Sequence, residues 1–259
     1  MIRFSSNISL MFKEHEFLDR FEAANNAGFN AIEMQFPYNW DPQELLEQKE
    51  QFDLQITVIN IEAGDLISGG PGLAAMPGRE DLFKKAVEKA YKFAETLKPL
   101  NMNVLPGWPP MDQFDRMQCV DVLVNNLRYA SETLDQIGTQ VVVEACNTFD
   151  RPGFLISTSA QAIEVIEKVG HSNLAFQYDL YHMHLMEGNN INRIDEIIDS
   201  IGHIQFADAP GRHEPGTGEV DFKKIFEHLD KIDWNGWIAA EYLPSRPTIE
   251  TLEWLRWNL

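Results

Sequence analysis

The sequence predicts an α/β fold, a single (β/α)8 TIM barrel. Three observations carry this. Eight short apolar runs of strand length alternate with eight segments of helical spacing along the chain. Runs such as Val141-Val142-Val143 and Trp237-Ile238-Ala239-Ala240 are apolar without alternation, as strands covered on both faces are. At 259 residues, with no linker or shift in composition, the chain has the size of one barrel domain spanning residues 1–259. A doubly wound open sheet is the alternative. It is weakened because neither a Gly-x-Gly-x-x-Gly turn nor a Gly-Lys-Ser/Thr phosphate loop is present.

The elements follow in order. Phe4 to Ser9 reads as the first strand. A helix from Glu16 to Ala27, with Phe17, Leu18, Phe21 and Ala24 on one face, stops at Gly28. Ala31 to Phe36 is the second strand, and Pro42 after Asp41 starts a helix to Phe52. Gln55 to Ile59 is the third strand. The Gly-rich stretch from Ala63 to Gly78 is long for a compact domain, which suggests a lid or binding loop. Glu80 to Leu97 is an amphipathic helix, and Asn103 to Leu105 a fourth strand running into Pro106-Gly107-Trp108. Helix Met117–Ile137 precedes the fifth strand, Gln140–Cys146. Helix Ser159–Val169 precedes the sixth, Leu174–Leu180, and helix Ile191–Ile201 precedes the seventh, Ile204–Ala207. Asp208 to Glu219 is a polar loop rich in Gly and Pro, with Asp221 as N-cap of the helix Phe222–Leu229. Trp237 to Tyr242 is the eighth strand, and Thr248 to Trp257 reads as the closing helix.

Charge removes whole classes of function. With 40 acidic against 21 basic residues the net charge is -19. Neutralising phosphates supplies most nucleic-acid affinity, so DNA and RNA are not expected partners. No apolar run approaches the ~20 residues of a membrane span. The N-terminal MIRFSSNISLMF lacks a signal-peptide pattern, so a cytoplasmic protein is expected. Cys119 and Cys146 read as buried reduced thiols. Nothing fixes the oligomeric state, and a homo-oligomer is compatible with the pattern.

In such barrels the site lies at the C-terminal ends of the strands. The fifth strand carries Glu144, with Asn147 beyond it. The sixth ends in Asp179, followed by Tyr181, His182 and His184. The seventh carries His203 and Gln205, then Asp208, and the eighth ends in Glu241. A carboxylate in an apolar strand is costly to bury unless paired or metal-bound. Glu144, Asp179, Gln205 and Glu241 therefore read as one set of hard oxygen ligands, suited to a single Mg²⁺ or Mn²⁺. Glu144 and Glu241 approach such a centre from different sides, as a base and an acid would. The chemistry that fits is proton removal beside a carbonyl to an enediolate. Return of the proton to the neighbouring carbon isomerises; return to the opposite face of the same carbon epimerises. The expected partner is a small hydroxy-keto acid or sugar.

Over nearly its whole length the chain resembles the hydroxypyruvate isomerase family of xylose-isomerase-like barrels. The resemblance rests on RFSSNISLMF, on Ala63–Asp65, on Pro77–Glu80 and on Asn126–Ala130. It rests further on Glu144–Asn147 with FDRPGF, on QYDLYHMHLMEG from Gln177, on HIQFAD and GRHEPGTGE from His203, and on GWIAAEY from Gly236. It implies a metal site at Glu144, Asp179, Gln205 and Glu241, with Glu144 and Glu241 as the acid–base pair. It also implies substrate contacts from His182, Arg212, Glu214, Asn7 and Trp108. The implied activity interconverts hydroxypyruvate and tartronate semialdehyde, with a close branch acting on 2-oxo-tetronates. Leu243 stands where many relatives have a lysine, and Arg212, His182 and Arg79 are the candidates to replace its charge. A ketose 3-epimerase on neutral sugars is the alternative. A metal endonuclease of the abasic-site type needs more His ligands and a basic face. A binding protein without turnover would not need the carboxylate set.

Overall fold

The computed structural model describes residues 2–257. Eight parallel strands close into a barrel in sequence order. They are β1 (Arg3–Asn7), β2 (Ala31–Met34), β3 (Gln55–Asn60), β4 (Asn101–Val104), β5 (Gln140–Glu144), β6 (Leu174–Asp179), β7 (Ile201–Phe206) and β8 (Trp237–Ala240). Around them run α1 (Asp19–Asn26), α2 (Pro42–Gln51), α3 (Glu80–Leu97), α4 (Arg116–Asp135), α5 (Ser159–Val169), α6 (Leu180–Glu187), α7 (Asn190–Ile197) and α8 (Phe222–Lys231). The barrel is the expected fold.

Local chemistry starts and stops these elements. The Asp41 side chain accepts the Gln43 amide at 2.9 Å while Pro42 occupies the first helical position of α2. Asp115 and Gln118 form a reciprocal capping box on α4. Gly170 takes the left-handed conformation that ends α5. The strands are buried nearly throughout, because helices cover the outer face and side chains fill the interior.

Two segments differ from expectation. Leu180–Glu187 forms a helix where no element was expected between the sixth strand and Ile191, and Leu180 opens it instead of ending that strand. Its sequence, LYHMHLME, has no polar face to betray a helix, and its first turn is fixed by Asp179, whose Oδ1 accepts the Tyr181 amide at 2.8 Å. The C-terminal segment is not one helix but two 3₁₀ turns, Thr248–Thr251 and Glu253–Arg256. The Thr hydroxyls there bond the backbone in ways that compete with a regular helix: Thr251 Oγ1 donates to the Thr248 carbonyl at 2.7 Å, and Thr248 Oγ1 accepts the Phe12 amide at 2.7 Å. Trp254, almost fully buried, pins this segment edge-on to Phe4 and Phe206.

The Gly-rich stretch 63–78 is pinned as well. Asp65 Oδ1 accepts the Gly72 amide at 3.0 Å and an Arg79 N–H at 2.8 Å, and Asn126 donates to the Ala74 carbonyl at 2.8 Å. Gly107 lets this loop approach the end of β4. A Cβ there would lie 2.3 Å from the Pro71 carbonyl oxygen.

Candidate active site

Parallel register sets the height of each inward side chain. Glu144 pairs with Gln177 across β5 and β6, and Asp179 with Gln205 across β6 and β7. Glu241 follows β8 directly, its amide bonded to the Phe206 carbonyl at 2.9 Å. The result gathers Glu144, Asp179 and Glu241 so that one carboxylate oxygen of each lies within 4.8 Å of the others. All three are at most 5% exposed.

Each carboxylate is anchored through one oxygen by neighbouring amides. Glu144 Oε2 accepts from Asn103 Nδ2 at 2.7 Å and Gln177 Nε2 at 2.9 Å. Asp179 Oδ1 is the α6 cap. Glu241 Oε1 accepts from Asn7 Nδ2 at 2.9 Å and Gln35 Nε2 at 3.1 Å. The second oxygens of two of them meet one guanidinium: Arg212 Nη2 donates to Glu241 Oε2 at 2.7 Å and lies 3.9 Å from Asp179 Oδ2. Burial, and then the Asp179 charge, push Glu144 up to about 7. Burial also raises Asp179 and lifts Glu241 well above the usual carboxylate range, against the pull of Arg212 in both. Burial alone would lower Arg212, but Glu241, Asp179 and Glu144 outweigh it and raise it. This donor set suits a hard divalent cation. Three buried carboxylates converge, each already oriented, with too little positive charge among them.

Gln205 joins the same layer. Its Oε1 accepts from Gln177 Nε2 at 2.7 Å, and its Nε2 donates to Glu33 Oε1 at 2.7 Å. Glu33, on β2, escaped sequence reasoning. It is fully buried and accepts from Asn7 at 3.0 Å as well, while His203 Nε2 faces its other oxygen at 3.1 Å. A lone Glu in a four-residue strand carries no signal until its neighbours are known. Asn7 therefore spans both carboxylates, Glu33 and Glu241, and does not line the cavity.

The remaining expected residues divide. His182, Arg212 and Trp108 line the cavity above the carboxylates, together with Leu66, Ile67, Leu105 and Phe154. Trp108 packs edge-on to Phe154 at 6.2 Å. Burial, helped by the Arg212 and Arg151 charges, holds His182 well below its ordinary pKa and so neutral. Glu214 does not line the cavity. Its carboxylate accepts the Ser245 amide at 3.1 Å and the Ser245 hydroxyl, tying the loop after β7 to the segment after β8. Asp208 organises that loop by accepting the amides of Gly216, Gly218 and Val220 at 2.8, 2.8 and 3.1 Å. Arg79 pairs with Asp65 and stands outside the cavity lining. Arg151 was not anticipated. It is an exposed residue on the cavity lining, and among the described residues its side chain has no hydrogen-bond or ion-pair partner.

A profile of the xylose isomerase-like TIM barrel family matches residues 21–257. The chain belongs to that family. Hydroxypyruvate isomerase of Escherichia coli (strain K12) is 41% identical over 98% of both chains. The 2-oxo-tetronate isomerase of Cupriavidus necator is 37% identical, covering 99% of this chain and 98% of the relative. In three dimensions, a crystal structure described as an AP endonuclease, family 2, from Brucella melitensis superposes with a TM-score of 0.95 at 34% identity, over 98% of each chain. Within the xylose isomerase-like family this chain is an isomerase related to the hydroxypyruvate isomerases. Among the described residues no helix is long and apolar enough to cross a membrane.

Proposed function

We propose that the protein is a divalent-metal-dependent isomerase of a small hydroxy-keto acid, converting hydroxypyruvate to tartronate semialdehyde through an enediolate. The observation that carries this is the buried trio Glu144, Asp179 and Glu241, each anchored by neighbouring amides with one carboxylate oxygen of each within 4.8 Å of the others. Together with Gln205 these residues would hold one Mg²⁺ or Mn²⁺, which when bound supplies Lewis-acid stabilisation of charge on the substrate oxygens.

The protein's own residues move the protons. One of Glu144 and Glu241 takes the proton from the hydroxymethyl carbon, and the C–H pair becomes the C=C bond of the enediolate. The other delivers a proton to the neighbouring carbon, while the hydroxyl proton passes to the former carbonyl oxygen. The balance is a net shift of two hydrogens with no external oxidant. Two carboxyls that burial raises above the usual carboxylate range suit the exchange, since a raised pKa makes a carboxyl a better base and keeps its proton available to give back. Trp108, Phe154 and Leu105 exclude water from the intermediate.

Arg151 supports an acid over a neutral sugar. In a chain of net charge -19, an arginine on the cavity wall with no carboxylate partner is free to take the substrate's. Arg212 is committed to Glu241, Arg79 to Asp65, and His182 is neutral. The 2-oxo-tetronates share the carboxylate, and the Cupriavidus relative makes them the second reading. The buried, carboxylate-rich centre and the acidic surface favour neither over the other but do not fit a DNA substrate. The test is turnover and solvent deuterium uptake with hydroxypyruvate, a 2-oxo-tetronate and neutral ketoses, each with Mn²⁺ and with a chelator. Exchange with the acids that chelation abolishes is expected. Exchange with neutral ketoses alone would replace the proposal with an epimerase.

A further inference from the structure

His182 is the one ring in the cavity whose hydrogen-bonding role can be fixed from geometry. Its Nδ1 faces two nitrogens of Asn147: the backbone N at 3.3 Å and the side-chain Nδ2 at 2.6 Å. A backbone N–H can only donate. The side-chain amide is equally fixed in orientation. Its Oδ1 accepts the backbone amides of Phe149 at 3.0 Å and Asp150 at 2.8 Å, so turning it over would set its NH2 against two donors. Its Nδ2 also donates to Asp150 Oδ2 at 3.0 Å, and Tyr181 Oη donates to that same oxygen at 2.7 Å. Nδ1 of His182 is therefore an acceptor. A ring that accepts at Nδ1 is neutral and carries its proton on Nε2.

That proton points at the centre of the site. Nε2 lies 3.5 Å from Asp179 Oδ2 and 3.7 Å from Glu144 Oε1. Both separations exceed a good hydrogen bond, so the N–H is directed into the gap between the two presented oxygens without being consumed by either. An N–H there cannot ligate a cation, although His182 lies with Glu144 and Cys146 at ligand-like spacing.

We propose that Asn147 is a positioning residue that holds His182 in its Nε2–H form, making it a hydrogen-bond donor to an oxygen of the bound hydroxy-keto acid and keeping it out of the metal's ligand set. The kinetic part rests on the proposed function; the tautomer does not. Asn147 does this from within the turn that follows β5, so the turn's own amide bonds supply the rigidity.

The experiment is long-range ¹H–¹⁵N correlation of the His182 ring in the full-length protein, metal-free and with Mg²⁺. A protonated Nε2 and a bare Nδ1 in both states are expected; a proton on Nδ1, or loss of the Nε2 proton when Mg²⁺ binds, overturns the proposal without any variant. Asn147→Asp keeps the acceptor that the turn needs but places a carboxylate oxygen against Nδ1. It is expected to reverse the ring pattern and to lower kcat about 10²-fold, the usual cost of one donor aimed at developing charge. An unchanged ring pattern, or an unchanged kcat with the pattern reversed, overturns the proposal. Wild-type protein with the expected spectrum but inert towards every hydroxy-keto acid overturns the proposed function and leaves the tautomer assignment standing.

Discussion

Two groups of buried carboxylates share the barrel interior, and they are built differently. Glu33 is saturated: Asn7 and Gln205 donate to one oxygen, and His203 faces the other. Glu144, Asp179 and Glu241 are each anchored through one oxygen; Arg212 closes the second oxygen of Glu241, while those of Glu144 and Asp179 lie 3.7 and 3.5 Å from His182 Nε2. Burial is equal, so burial does not separate structure from function here. Convergence does: one oxygen from each of three carboxylates lies within 4.8 Å of the others with one guanidinium beside them, whereas the partners of Glu33 are amides and a histidine. A lone carboxylate among such donors holds neighbours in place; a convergent trio suits something positive.

The comparison breaks most visibly in activity. Glu144→Gln and Glu241→Gln are expected to cost about 10³-fold or more in kcat, in the range of lost acid–base catalysis, with melting temperatures equal to or above wild type in metal-free protein. Retained turnover in either would end the two-carboxylate mechanism. Glu33→Gln should show the opposite profile. Its amide can keep its oxygen towards Asn7 and Gln205, but its NH2 then replaces the oxygen that faces His203, and a loss of about 1–3 kcal/mol in urea unfolding is expected. A neutral result there would mean that the saturation of Glu33 is not what holds β2 to β7.

Smaller effects sharpen the same contrast. Arg151→Gln should raise KM for hydroxypyruvate about tenfold or more and leave binding of a neutral three-carbon analogue unchanged, as removal of one charged hydrogen bond does. Equal losses for both would remove Arg151 from carboxylate recognition. The smallest effect is in pH. Glu144 sits at about 7 in the fold against 4.5 unfolded, so the folded form holds that proton more tightly. Its contribution to stability is fullest below 4.5 and is lost as pH rises through about 7. Mn²⁺ relieves the same repulsion, so its increment in melting temperature should be larger at pH 8 than at pH 6. An increment independent of pH would place the cation elsewhere.

Much of this was legible in the sequence, for a physical reason. Strands buried on both faces must be apolar, so Glu144, Asp179 and Glu241 stood out against Val141–Val143, Leu174–Tyr178 and Trp237–Ala240. Glu33 was invisible because its meaning lies in Asn7, His203 and Gln205, which only barrel closure brings to it. Arg151 and Asn147 lie in a loop, where side-chain direction depends on turn geometry that no periodicity encodes. Glu214 was expected at the substrate from the family resemblance; its partner, Ser245, comes from the neighbouring loop. The Thr248–Trp257 segment has helical spacing, but its threonines spend their hydroxyls on the backbone instead.

Asp179 divides its two oxygens between the chain and the cavity, and α6 starts on the first of them. His182 stands three residues further on, so the helical rise fixes its separation from Asp179. Acid, donor and helix end thus move as one casting: no substitution within that turn can retune one without dragging the other. Adjustment to a longer or bulkier substrate has to come from walls on other loops, those carrying Ile67, Trp108 and Phe154. In the proposed function, the reacting end of a substrate would meet parts tied to one helix start, and its far end walls that can be exchanged one at a time.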